Sequence, residues 1–397
     1  MAHEQLLFPG VVPQGGTGAQ NSSGVLPSQS IRNLIGSGRI TPRRELCAEI
    51  SEDQIQPASI DLRLGNVAYR VRASFLPGKS STVEAKIEDL KMSEVDLTRP
   101  AVFEKNCVYI VPLMEELFLP DEVSAKCNPK STTGRLDIFT RLITDYGEDF
   151  EWVRNGYRGR LYAEVVPRTF SVVLAAGMKL SQMRFLLGDP SSDDHSLRAL
   201  DHQHGLVYLT EDNRAEAEIE EGLWIRVSTQ ADSPTEVVAY KARSNAPVID
   251  LSKVNHYEPD DFWELIYSPR TGSLILDPGA FYIIASKERV RVPPEYAAEM
   301  VALETSVGEF RIHYAGFFDP GFGFGVNDDI KGTRAVLEVR AHEVPFQIED
   351  GQAVGRLYYM HLLSIPDKVY GAKIGSSYQG QALALSKQFK STARPAR

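Results

Sequence analysis

The chain repeats itself, and the repeat limits what it can fold into. VAYRVRAS (67–74) returns as VAYKARSN (238–245), and VDLT (95–98) returns as IDLS (249–252). VYIVPL followed by LFLPDE (108–122) returns as FYIIAS followed by VRVPPE (281–295). Register ties the copies together: Glu164 and Glu338 stand 174 positions apart, as do Gly177 and Gly351. Such ordered self-similarity is the mark of a duplicated unit. The runs are short, rich in β-branched and aromatic residues, and punctuated by Gly, Pro, Asp and Asn: IDLRLG, VAYRVRA, VYIVPL, LYAEVVP, FSVVLAA, KLSQMRFLLG. That pattern predicts an all-β barrel or sandwich. We therefore expect two copies of one β-domain, at 25–188 and 205–366. A Gly/Gln/Ser/Pro-rich arm (1–24) precedes them, a polar linker (189–204, with DPSSDDHS) joins them, and a tail (367–397) without core character follows. Two short helices are expected, one over Ser28–Gly36 capped by Ser28 or Ser30, the other near Pro259–Tyr267 with Asp260 and Asp261 in its first turn.

One residue breaks the apolar pattern. Glu164 lies inside LYAEVVP (161–167), and Glu338 occupies the matching place in RAVLEVRA (334–341). A carboxylate buried in an apolar strand costs several kcal/mol unless it is paired or hydrogen-bonded, so it serves either chemistry or a polar network. Desolvated, Glu164 could act as a general base near neutral pH. The structural alternative pairs it with an arginine such as Arg168 or Arg184. Upstream, NPKSTTGR (128–135) packs Lys130, Ser131, Thr132, Thr133 and Arg135 into eight residues, a set suited to phosphate oxygens. An ordinary polar turn is the alternative. Tyr157 between glycines could lay a ring on a planar ligand or simply close a hairpin. Asp145, ending TRLITD, could accept from a ligand amine or ribose hydroxyl, or start a turn.

Several classes fall away. The net charge of −10 argues against a nucleic-acid coat. Three cysteines, no basic-plus-apolar leader and no apolar run of about 18 residues predict a cytoplasmic protein without a membrane span. No HxE…PCxxC zinc-deaminase arrangement, Walker loop or GxSxG elbow is present, and GFGFG (321–325) lacks a dinucleotide-binding context.

The ordered series LPSQSIRNLI, QPASIDLRLGN, NPKSTTGR, GYRGRLYAEV and GMKLSQMRF resembles the long, two-domain bacterial dCTP deaminases of the dUTPase-like superfamily, and the second half resembles the same fold more loosely. The resemblance implies a mainly β fold, a tandem duplication of a dUTPase-like distorted β-barrel (β-clip) with a few short helices. It implies a homotrimer with sites between subunits, and zinc-free hydrolysis of dCTP to dUTP and ammonia. No protein-bound metal is implied; Mg²⁺ rides with the triphosphate. Glu164 matches the water-activating glutamate, with Ser131 and Arg135 as the serine and arginine of the phosphate- and water-contacting motif. Lys130, Thr132, Thr133, Asp145, Tyr157 and Gln182 are the expected substrate contacts. Tyr370, with Tyr378 and Gln381 of SYQGQ, resembles a C-terminal lid in which Ser377 replaces the usual lysine. The usual alanine-histidine-arginine stretch aligns near Thr144–Asp145–Tyr146, and its arginine is absent. In the second copy Thr305 and Glu309 replace Ser131 and Arg135, and an acid there would repel a triphosphate. The expectation is one site, in the first copy, with Glu338 as a relic or a local ion-pair partner. A dUTPase, a bifunctional enzyme giving dUMP, and a non-catalytic nucleotide binder are the alternatives. dTTP is the candidate inhibitor.

Overall fold

A computed structural model of the chain describes residues 23–46, 49–231, 233–302, 310–313, 316–341, 344–371 and 383–391. The duplication holds down to strand register. In the first copy the strand Val108–Phe118 pairs with Val67–Val71 on one side and Arg158–Pro167 on the other, and Arg158–Pro167 also pairs with Ile138–Thr144. In the second copy Phe281–Val290 pairs in the same way with Val237–Ala242 and Thr333–Ala341, and the latter with Phe310–His313. A second ladder, Val123–Pro129 with Lys179–Leu187, recurs as Tyr296–Ala302 with Ala353–His361. Alternating side chains fill each interior. Leu161, Ala163 and Val165 enter the large core, while Tyr162 faces a smaller cluster with Val71, Val83, Ile87, Ile110 and Ile143.

The copies are not beads on a string. The large core continues from the first copy into Tyr240, Phe262, Trp263, Phe281 and Ile283 of the second. Val172–Leu174 pairs in parallel with Ile249–Asp250. At another part of the junction Arg184, fully buried, donates to the carbonyls of Ala298 (3.1 Å) and Phe318 (3.3 Å). A buried guanidinium needs several acceptors, so these bonds fix how the copies meet.

Local structure differs from expectation in several places. Pro259–Asp261 is only a helical turn; Trp263–Tyr267 continues as a strand against Val237–Ala242, because burying Trp263 in the core outweighs the acidic first turn. The linker holds a helix, Asp194–His204, capped by Asp193, which accepts from the Ser196 N–H at 2.7 Å. Leu197 and Leu200, three apart, seat it on the second core. The Ser28–Gly36 helix forms, but its cap position is Pro27, and the Ser28 hydroxyl binds Asp367 instead. The tail does carry core: Phe389 is buried against Tyr257, Phe262 and Trp263. No helix among the described residues is long and apolar enough to cross a membrane.

Candidate active site

NPKSTTGR bends where the Val123–Pro129 strand ends. Ser131–Gly134 forms one helical turn, pinned when the Lys130 N–H and the Thr133 hydroxyl donate to the Leu180 carbonyl (2.9 and 2.8 Å). The turn leaves Ser131 exposed and drives Arg135 inward, where it is 5 % exposed. Ser131 and Arg135 line a cavity of 1220 Å³ between the two copies. Asp61, Lys130, Thr132, Thr133, Gln182 and Tyr370 line it too.

The carboxylate facing this set is Glu338, not Glu164. Glu338 lines the cavity and is 6 % exposed. Burial pushes its carboxyl up to about 8, against the pull of the Arg135 guanidinium, while Asp137 pushes the same way as burial. A carboxyl in that range can hold or release a proton near neutral pH.

Glu164 does not line the cavity. It points to the opposite face of its strand, where Arg141, its register partner on Ile138–Thr144, donates to Oε1 through Nη2 (2.6 Å) and Nε (3.1 Å). The Phe150 ring covers the Arg141 guanidinium at 3.5 Å. The pairing with Arg168 or Arg184 that the sequence suggested does not form: Arg184 is spent on the second copy. Strand alternation explains the miss, because Arg141 lies directly across the ladder from Glu164.

Two other candidates also sit outside the cavity. Tyr157 is 1 % exposed; its hydroxyl donates to the Arg160 carbonyl (2.6 Å) and accepts from the Asp145 N–H (3.3 Å). Asp145 accepts from the Val83 N–H (2.8 Å), which caps a helix, Val83–Leu90, that the sequence reading did not anticipate. Both are loop-bracing residues. Tyr378, Gln381, Ser377, Thr305 and Glu309 lie outside the described residues.

The sequence reading missed several wall residues. Asp61 is 2 % exposed, pairs with Lys130 through Oδ2, and its Oδ1 has no hydrogen-bond partner among the described residues. Burial raises its carboxyl despite Lys130. Met300, Phe317, Phe318 and Phe322 give one apolar wall, and the Tyr370 ring rests 5.6 Å from Phe322. Arg334, Lys368 and Lys387 add cations. The segment 383–391 straps the mouth: Ser386 donates to the Thr132 carbonyl (3.0 Å), and Arg135 donates to the Ala384 carbonyl (3.1 Å). An aromatic apolar wall, cations and a tunable carboxyl in one cleft suit an anionic ligand with a flat ring.

Comparisons with known proteins identify the family. Residues 22–189 match the family model of the 2'-deoxycytidine 5'-triphosphate deaminase N-terminal domain, and residues 193–389 match that of its C-terminal domain. The chain is similar to a solved structure, the 2'-deoxycytidine 5'-triphosphate deaminase of Agrobacterium tumefaciens. The identity is 45 % and the TM-score 0.80, covering 87 % of this chain and 100 % of that one. It is 27 % identical over 190 residues to a dUMP-forming dCTP deaminase of Nanoarchaeum equitans, covering 43 % of this chain and 88 % of that protein. To a dCTP deaminase of Natronomonas pharaonis it is 28 % identical over 127 residues, 31 % of this chain and 60 % of that protein's length.

Proposed function

The chain belongs to the dCTP deaminase family, and from that premise we propose that it hydrolyses dCTP to dUTP and ammonia in the inter-copy cavity. In this reading Glu338, in place of Glu164, is the general base. One observation carries it: of the buried carboxyls that share the cavity with Ser131 and Arg135, Asp61 is paired with Lys130 and Asp319 with Arg184, whereas Glu338 lies beside Arg135; Glu164 is held by Arg141 outside the cavity.

The chemistry follows from the groups present. Water is a weak nucleophile toward C4 of cytosine, so a base must take its proton as the bond forms. Glu338 accepts that proton and returns it to N3 or to the departing amine, so that dCTP and water balance dUTP and ammonia. Arg135 beside it keeps part of its population ionised and steadies the charge that develops. Ser131 and Lys130, at the exposed lip, face the triphosphate, with magnesium arriving on the phosphate oxygens. Phe322 and Tyr370 flank the ring. All of these residues belong to one chain, so the reading needs no neighbouring subunit to complete the site; the homotrimer is carried forward as a proposed assembly only.

The test compares Glu338→Gln with Glu164→Gln in dCTP turnover with magnesium, resolving ammonia, dUTP, dUMP and pyrophosphate. Glu338→Gln is expected to lose about 10³-fold in kcat, and Glu164→Gln to stay within about threefold. The opposite pattern would return the base to Glu164. The name of the Nanoarchaeum relative favours one second reading, direct formation of dUMP; dUMP and pyrophosphate appearing without free dUTP would establish it.

A further inference from the structure

Two charge pairs cross the boundary between the copies, side by side. From the first copy come Arg135 and, two residues on, Asp137. From the second come Glu338 and, two residues on along the same strand face, Arg340. Arg135 faces Glu338 in the cavity wall, and Asp137 is ion-paired with Arg340. The side chains of Asp137 and Arg340 are 2 % and 14 % exposed. The Thr169 hydroxyl donates to Asp137 (2.5 Å) and accepts from Arg340 (2.9 Å). Arg340 also donates to the Gly279 carbonyl and lies 5.9 Å from the Phe281 ring. Asp137 holds φ +53°, a left-handed conformation uncommon outside glycine, and the turn it makes aims its carboxylate across the boundary.

We propose that Asp137 and Arg340 form an inter-copy clamp that positions Glu338 against Arg135 and balances the charge around it. The inference rests on Glu338 being the base. The shared core seats the copies on one another; the outer pair, bolted by Thr169, sets the Arg135–Glu338 spacing locally, one strand step away. It also sets the field. Charges two strand residues apart are about 7 Å from one another, and at an effective permittivity of about 40 one unbalanced charge moves a neighbouring carboxyl by about one pH unit. Arg135 and Arg334 line the cavity with Glu338, Asp137 acts on it across the boundary, Arg340 lies two residues on along its strand, and His313 is its register partner on the adjacent strand. Asp137 and Arg340 thus act as positioning residues.

The experiment reads the acidic limb of kcat/KM against pH. Asp137→Asn leaves Arg340 unbalanced, so the limb moves down by about one unit. Arg340→Gln leaves Asp137 unbalanced, so it moves up by about as much. A purely structural role would slow both variants without opposite shifts; shifts of the same sign, or none, overturn the proposal. Each single variant carries the test by its own sign should the other fail to fold. Arg340→Lys keeps the charge and loses the paired donors, so the limb stays while kcat falls about tenfold, and an unchanged kcat overturns the positioning half. Glu338→Gln, assayed alongside, separates the two ideas: if it turns over normally the base assignment fails, and if it is dead while the limbs stay fixed only the clamp fails.

Discussion

Glu338 carries a stability cost that can be measured without any substrate. Its folded carboxyl stands at about 8 against an ordinary 4.5, with burial the main cause. The sign follows from proton linkage. Between those two values the folded chain holds more of the proton than the unfolded chain, so raising the pH destabilises the fold. The contribution is fully present below the unfolded value and is lost as pH rises through the folded one. Each unit is worth about 1.4 kcal/mol. From pH 5 to pH 8.5 the loss attributable to this one group is then about 4 kcal/mol. Glutamine at 338 keeps the shape and cannot ionise, so it escapes the loss. The assay is urea unfolding of the nucleotide-free wild type and Glu338→Gln at both pH values. All other titrating groups are shared, so the difference between the two proteins isolates residue 338. We expect the variant to gain about 4 kcal/mol relative to wild type across this range, while its turnover disappears. A difference that stays flat within about 1 kcal/mol would refute the claim that Glu338 ionises at a cost, and with it the account of a poised base.

Three further outcomes follow from the same contacts. Arg141→Leu strands the Glu164 carboxylate and should cost about 3 kcal/mol in unfolding free energy, the lower end of such losses because 24 % of the Arg141 side chain remains in solvent; the double change with Glu164→Leu should recover most of it. The kcat of folded Arg141→Leu is expected to remain near wild type, and a thousandfold fall would put Glu164 back in the chemistry. Phe389→Ala removes the anchor of the strap from its aromatic cluster, so a loss of about 3 kcal/mol and a raised KM for dCTP are expected, the second because Ala384 and Ser386 hold Arg135 and Thr132.

The fold was legible because period-two strands and a constant spacing leave a strong imprint. LYAEVVP and RAVLEVRA form as strands, and each glutamate falls at the same rung of the same ladder. What misled at Pro259–Tyr267 was local: a capped acidic turn suggests a helix, while the core claims Trp263. The linker helix was hidden because only Leu197 and Leu200 of its eleven residues are buried. Of the site, Ser131 and Arg135 were legible from residue type, and Gln182 and Tyr370 stand with them in the wall. Glu164, assigned by resemblance, lies outside the cavity that holds Ser131 and Arg135. Its side chain lies on the Tyr162 side of the strand and meets Arg141, apart from the Ser131–Arg135 turn. Arg141 was the available signal, since a cation across the ladder from a buried acid reads as its partner.

Duplication makes this division intelligible. A domain whose serine-arginine turn completes its site with a neighbour's glutamate produces, once doubled in one chain, two possible combinations. The turn of the first copy meets the glutamate of the second, which is the cavity observed. The reciprocal combination would join Thr305 and Glu309 to Glu164, with an acid at the position of Arg135. The desolvation cost of a carboxylate at 164 is offset by two hydrogen bonds from Arg141. Glu338 lies beside Arg135, and burial pushes its carboxyl up to about 8. The two glutamates therefore differ in their surroundings: Arg141 binds Glu164 through two hydrogen bonds, whereas Glu338 lies in the cavity with its carboxyl raised by burial.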